Sequence, residues 1–472
     1  MNQMDNKQIV LAFIDTGINI AKRNYSIGLE IEKRGLGLVY FTYSKECANM
    51  YKSKGCNYIY LPDEFEKDKL TKPLIQYLKE FEDKYDIPSI NLLISGDIDY
   101  QRMNKKKALI GLVKHFLFWE RFLTNNQLDF IIGGIERFCN NVPYYVSKKH
   151  KTKYLCLGIA PLIDGSFVLN DNIFGHFDEL IKYWNKNEHK KLNPLEYSVA
   201  RRYINTIIKE KKGSYVGFAG EPQINKTNIL LFFKRAYLNI FTEKFRNPYA
   251  PLFAITKKET LKAIRKHFEK IFYYKSKPEK YVYYPLHVQN DAQLIIRAPH
   301  YTNQLFLIEY IAKCIPIGYK LYVKCHPNNI GGTPLRMLRK IKKITNVVLI
   351  SPRENSHDII KNAAAITVVN STVGLEGILH MKPVITFGNV FYNLSNLTFN
   401  VKDLYQLPEV IKNAVNSPPV KEEKLLKFIN AYLKTSKQGH ILFYKNTIEK
   451  ASKKENLMKV AEEIIKRIKE YG

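Results

Sequence analysis

Two short segments carry side chains suited to holding a nucleotide phosphate. Lys324-Cys325-His326-Pro327 closes an apolar, β-rich run, and about 45 residues later Asn370-Ser371-Thr372-Val373-Gly374-Leu375-Glu376 joins another such run to a helical pattern. In an open parallel sheet, ligands bind beyond the carboxyl ends of the strands, where both segments fall. Pro327 biases His326 toward an extended backbone, which aims its imidazole into the crevice. Asn370, Ser371 and Thr372 are good N-caps, and the helix after them offers free N–H groups and a positive dipole end. Hydroxyls at a helix N-terminus make an anion site. Glu376 stands near the first turn, where a carboxylate can accept ribose hydroxyls. Taken singly, each feature has an ordinary structural reading: a turn, a cap, a dipole-favoured acid. Their combination at strand ends points to nucleotide binding, with His326 and Ser371 expected on adjacent strand-end loops.

A carboxylate in such a crevice could deprotonate a hydroxyl or attack a carbon centre. Glu136, in Gly133-Gly134-Ile135-Glu136-Arg137, follows a strand end and ranks first. Asp164, after the turn Gly158-Ile159-Ala160-Pro161, is the reserve, and Asp15 ends the first strand. Each could equally be a loop acid or a cap.

The elements that must position these residues alternate in βα fashion. Strand patterns fall at 8–15, 36–42, 57–61, 91–94, 129–133 and 153–157, with helical patterns at 20–34, at 105–123 and after Glu136. A second series has strands at 281–286, 320–324, 347–350, 366–369 and 384–387. Such alternation predicts parallel sheets covered by helices. Residues 190–280 are Lys- and aromatic-rich and read as helices. Pro418-Pro419 marks a break, and a basic helix at 455–471 closes the chain. The expected division is 1–278, a Rossmann-like acceptor domain with a basic helical tail; 279–420, a Rossmann-like nucleotide-binding domain; and 421–472, helices that pack back across both.

The composition suits this plan. The 472 residues are 45% hydrophobic, enough for large cores, and 74 Lys+Arg against 44 Asp+Glu give a net charge of +30. That balance favours acidic partners, although joint enrichment in Lys, Ile and Asn also fits an AT-rich genome. No helix-turn-helix, zinc-finger or RNP-like pattern supports a nucleic-acid binder. Six scattered cysteines without a CxxC pair argue against a zinc ribbon and for buried apolar packing. Neither a signal-peptide pattern nor a run of about 18 apolar residues is read, so a cytoplasmic location is expected. Residues 230–241 and the basic C-terminus could touch the anionic inner face of a membrane.

The His-Pro dipeptide followed by NSTVGLEGILHMKPVITFG resembles the capsule polysaccharide synthesis family, which includes Kdo transferases, and more distantly the bacterial sialyltransferases. A third block, from Tyr284-Pro285-Leu286-His287-Val288-Gln289 to Asp291 and Gln293, resembles the same family, with His287 where Gln is usual. The resemblance covers 281–392 well and the first half thinly. It implies a GT-B fold: two Rossmann-like domains with a cleft between them. It implies a metal-independent glycosyltransferase without cofactor, moving a sugar from a nucleotide-sugar donor, a CMP-sugar being favoured and Kdo or another 3-deoxy sugar acid a candidate, to a glycan or glycolipid acceptor. His326 and Pro327 would meet the donor, Asn370, Ser371, Thr372, Gly374 and Glu376 would hold its phosphate and ribose, and Gln289 and Asp291 would line the cleft. The family's acidic residue before the Gly-x-x-Pro turn is replaced by Cys156 and Leu157. A CDP-glycerol-type polyol-phosphate transferase is the alternative enzyme, and a non-catalytic capsule-assembly scaffold the alternative of another class. Gly96-Asp97-Ile98-Asp99 has the DxD form that binds metal in another glycosyltransferase fold, but is expected to be a solvated turn.

Overall fold

A computed structural model describes residues 9–97, 104–135, 137–211, 256–289, 291–443 and 447–471, with the single positions Gly213, Leu230 and Tyr237. Side chains of 256–259 are outside that description.

Two sheets organise the described chain. The first has seven strands: β1 (Val10–Asp15), β2 (Gly37–Thr42), β3 (Tyr58–Tyr60), β4 (Phe130–Gly133), β5 (Lys153–Ile159), β6 (Ser166–Asn170) and β13 (Lys437–Gln438), in the order β13-β6-β5-β4-β1-β2-β3. Strands β5-β4-β1-β2-β3 are mutually parallel, whereas β6 and β13 add an antiparallel edge. The second has six strands: β7 (Tyr281–Pro285), β8 (Lys320–Lys324), β9 (Val347–Ile350), β10 (Ala365–Val368), β11 (Val384–Thr386) and β12 (Thr398–Asn400), in the order β12-β11-β10-β7-β8-β9 and parallel throughout. Two Rossmann-like sheets define the GT-B class. The central strands are buried almost end to end, as a parallel sheet covered on both faces requires.

The two units share a core. Phe177 and Trp184 of the first pack in one cluster with Tyr281, Leu375 and Tyr392 of the second and with Phe428 and Tyr432 of the helix Glu422–Thr435. Phe177 stacks on Phe391 with ring centroids 4.3 Å apart, and the Tyr432 hydroxyl donates to the Pro161 carbonyl at 2.6 Å. The last helix, Lys454–Lys469, buries Val460, Ala461, Ile464 and Ile468 against the helix Ile18–Glu32 and the first sheet.

Three sequence expectations are corrected. Residues 91–94 are not a strand but part of the helix Ile90–Ser95. The Glu82 carboxylate accepts the Ile90 N–H at 2.7 Å, satisfying a donor that a helix start leaves open. The first sheet is mixed because β6 folds straight back on β5. Asp97 does not sit in a solvated turn: it is buried, and its Oδ2 accepts the Phe138 N–H at 2.8 Å at the start of the helix Phe138–Ser147. Ile98 and Asp99 lie outside the described residues, as does nearly all of 230–241. All six cysteines are free, and all but Cys56 are buried.

Candidate active site

The carboxyl ends of β7, β8 and β10 open on a cleft of about 670 Å³ between the two units. His326 and Ser371 are not on adjacent loops, because β7 lies between β8 and β10. That insertion brings the three motif blocks together. Asp291 after β7, His326 and Asn328 after β8, and Asn370, Ser371 and Thr372 after β10 all line the cleft.

His326 is extended, at φ −65° and ψ 131°, as the following proline demands. Its Nδ1 accepts the Asn328 N–H at 3.1 Å, so in the neutral ring the proton belongs on Nε2. Burial, reinforced by His287 and Lys324, pushes the imidazole down to about 4 against the opposing pull of Asp291. A neutral Nε2–H donor results.

Ser371 caps the helix Thr372–Leu379, its hydroxyl accepting the Val373 N–H at 3.2 Å. Gly374 does not line the cleft; a Cβ there would meet the Tyr392 hydroxyl at 2.2 Å. Its bareness lets Tyr392 reach under the helix and donate to the Ser371 carbonyl at 2.7 Å. Asn370 donates through Nδ2 to the Gln293 carbonyl at 2.9 Å, while its buried Oδ1 has no hydrogen-bond partner among the described residues. Asp291 caps a short helix by accepting the Gln293 N–H at 2.9 Å.

The remaining expected residues stand apart from the cleft lining. Gln289 is exposed, and Pro327 opens the turn Pro327–Asn329. Glu376 is buried on the inner side of its helix, 4.0 Å from His357 Nε2. It faces Lys324, whose ammonium burial pushes down and Glu376 supports. Asp164 is exposed and 3.5 Å from Lys450. Asp15 is buried, accepting from Asn24 Nδ2 at 2.6 Å and from the Tyr51 hydroxyl at 2.5 Å, and burial raises its carboxyl to about 7.

Glu136 lies outside the described residues, but its flanks line the cleft and are firmly held. Asn140 Oδ1 accepts the Gly134 N–H at 2.9 Å, and the Tyr154 hydroxyl donates to the Gly134 carbonyl at 2.8 Å. A Cβ at Gly133 would meet that hydroxyl at 2.2 Å, which explains the glycine. Arg137 holds φ 74° and ψ 161°, a region costly for any residue with a side chain, and such strain gathers at ligand sites.

Sequence reasoning missed the arginines of this cleft, Arg23, Arg137 and Arg297. Arg297 packs so closely on Gly175 that a Cβ there would sit 2.5 Å from its guanidinium carbon. A Gly with φ 81° opposite an arginine 122 positions away leaves no local sequence signal.

The site thus belongs to a two-sheet α/β protein whose second unit turns hydroxyls, an imidazole and a helix start toward the cleft. Residues 238–409, which contain all three motif blocks, match the family model described as "Capsule polysaccharide biosynthesis protein". This bears out the resemblance read from those blocks. A curated relative, the capsule polysaccharide export protein KpsS of Escherichia coli, is 27% identical over 132 residues, covering 26% of this chain and only 33% of that protein. Among solved structures, the β-Kdo 2,4 transferase KpsC of Thermosulfurimonas dismutans overlaps at TM-score 0.40 and 17% identity, over 66% of this chain and 82% of its own. A glycosyltransferase from Rickettsia africae overlaps at TM-score 0.30 and 10% identity, over 98% and 99%.

Proposed function

We propose that the protein is a glycosyltransferase of bacterial capsule or related surface polysaccharide assembly. It moves a sugar from a nucleotide-activated donor, a CMP-sugar such as CMP-Kdo being favoured, to a glycan or glycolipid acceptor. The observation that carries this reading is the convergence of the three family blocks on one interdomain cleft.

The second unit, 279–420, holds the donor. Ser371, Thr372 and the start of the helix Thr372–Leu379 receive the phosphate, and His326 Nε2–H donates to a phosphate or ribose oxygen. Fixed donors of this kind stabilise charge on the leaving phosphate without reorganising. The first unit, 1–278, presents the acceptor, and Glu136 removes the proton from its attacking hydroxyl. Asp164 is the reserve, because its turn matches the family position only approximately. The 421–472 segment ties the units together.

A thermal-shift series with CMP, CDP, UMP, UDP and GDP tests the donor, since a ligand that binds the native state raises the melting temperature by mass action. CMP is expected to give the largest shift. Transfer assays with CMP-Kdo and CDP-glycerol side by side then separate sugar from polyol-phosphate transfer. Absence of binding and of turnover with all of these nucleotides sinks the proposal and leaves the scaffold reading.

A further inference from the structure

A second surface, where residues 264–274 of the expected first-unit tail pack on the β9 edge of the second sheet, combines exposed apolar side chains with cations. The helix Thr256–Phe268 and the turn Glu269–Phe272 after it expose Ile264, Phe268 and Ile271, at spacings of four and three. With Tyr274 they are 48%, 57%, 69% and 48% exposed and fall within one segment, 264–274, rather than scattered singly. Beside them runs the helix Leu335–Lys342, whose outward stripe continues past its end as Arg336, Arg339 and Lys343 with Lys340 next to it. Lys342 joins the two halves. Its ammonium donates to the Ile271 carbonyl at 3.2 Å and lies 5.1 Å from the Tyr274 ring centroid.

Among the described side chains, the charge on this face is one-sided. Lys270, Lys275, Arg336, Arg339, Lys340 and Lys343 are exposed, and none makes an ion pair with a described carboxylate. The nearby described acids are engaged elsewhere. Glu269 is buried and accepts the Gly331 N–H at 2.9 Å, and Glu354 is held by the Ser276 hydroxyl at 2.7 Å. Cores of protein–protein interfaces are depleted of Lys, whereas an anionic bilayer favours aromatic and aliphatic side chains ringed by Lys and Arg. Long basic side chains can lie along apolar neighbours and still reach lipid phosphates.

We infer that this face, built on Ile264, Phe268, Ile271 and Tyr274 with the Arg336–Lys343 stripe, seats the protein on an anionic lipid surface. The apolar groups enter the headgroup boundary and the cations rest on the phosphates. The face is tied to the loop after β8: Gly331, four residues after Pro327, packs so tightly on the Lys262 carbonyl that a Cβ would sit 2.1 Å from it. A lipid-linked acceptor would therefore be held beside the cleft. This last step rests on the transferase reading; the docking itself does not.

Co-sedimentation of the full chain with vesicles tests it, without turnover. Binding is expected to phosphatidylglycerol-containing vesicles, to weaken as salt screens the contacts, and to be at least tenfold weaker with phosphatidylcholine alone. Phe268→Ser with Ile271→Ser, and separately Arg336→Glu with Arg339→Glu, should each weaken binding at least tenfold while leaving the melting temperature and the CMP-induced shift unchanged. Equal binding to neutral vesicles, no binding by the parent protein, or full binding by both variants overturns the inference. So does a parent oligomer that the apolar variant converts to monomer without vesicle binding, which would make the face an interface between copies.

Discussion

The backbone N–H of Asn370 points at the Nε2 of His287 at 3.4 Å, joining the loop after β7 to the candidate phosphate-site loop after β10. The His287 ring can accept because burial pushes it down to about 4 and keeps it neutral. Its backbone is clamped by Gln304, which accepts the His287 N–H at 2.8 Å and donates to its carbonyl at 3.1 Å. The departure from the family block at this position is thus a linchpin between two motifs. His287→Gln should keep CMP affinity within about threefold, because a glutamine oxygen can still accept. His287→Leu strands a buried N–H, which costs roughly 1–3 kcal/mol, and should weaken CMP in a calorimetric titration. Equal affinity in the leucine variant would remove the link from the donor site.

His326 should act as a neutral donor. With its imidazole pushed down to about 4, protonation lies well below physiological pH. Its ring resonances should not titrate between about pH 5.5 and 8, a range set around an ordinary imidazole at about 6.5, in an NMR series. His326→Ala should weaken CMP by roughly 1.5–3 kcal/mol, the worth of a hydrogen bond to a charged group, without unfolding the protein. A ring that titrates near the ordinary value contradicts the neutral-donor role.

Glu136→Gln should retain nucleotide affinity and abolish transfer, since it removes a base and spares the donor site. Asp164→Asn should transfer normally. Steady-state kinetics with intact CMP binding as the control distinguishes the two, and the opposite pattern exchanges their roles. Full activity in both places the chemistry elsewhere.

Asp15 should make stability depend on pH. Its folded carboxyl stands at about 7 against 3.8 when free, because burial disfavours the charge more than Tyr51 and Asn24 favour it. The folded state therefore binds the proton more tightly than the unfolded chain. Its stabilising contribution is complete below the free value and is lost as pH rises through about 7. Asp15→Asn should melt at a temperature that falls less than the parent's between about pH 5 and 7.5, a window chosen to span that loss. Parallel melting curves across it would refute the buried proton.

How legible the chain is depends on burial. Strands β8 and β9 can be read to the residue because buried parallel strands are written as continuous apolar runs between polar loops. The same rule misreads 91–94, since a short apolar run does not distinguish strand from helix, and Glu82 decides it from outside the window. Strand β13, only Lys437 and Gln438, carries no apolar signal; its pairing with β6 depends on packing elsewhere. In the site, cap chemistry reveals Ser371 because capping is local. The His287–Asn370 bond joins residues 83 apart, and the Glu376 carboxylate points inward because of Lys324 and His357, neither of which its own segment announces.

Strand β13 belongs to the first sheet although it comes after the whole second one, and the helix Lys454–Lys469 follows it onto the same unit. The second sheet is therefore spliced into the first, with the chain crossing between them twice. During synthesis the first sheet cannot gain its last strand until the ribosome has passed residue 438, when every strand of the second sheet has already been made. The later-coded unit can finish first. A chain arrested after residue 420 would carry a complete second sheet on an open-edged partner, its unpaired β6 exposed to strand exchange with other molecules.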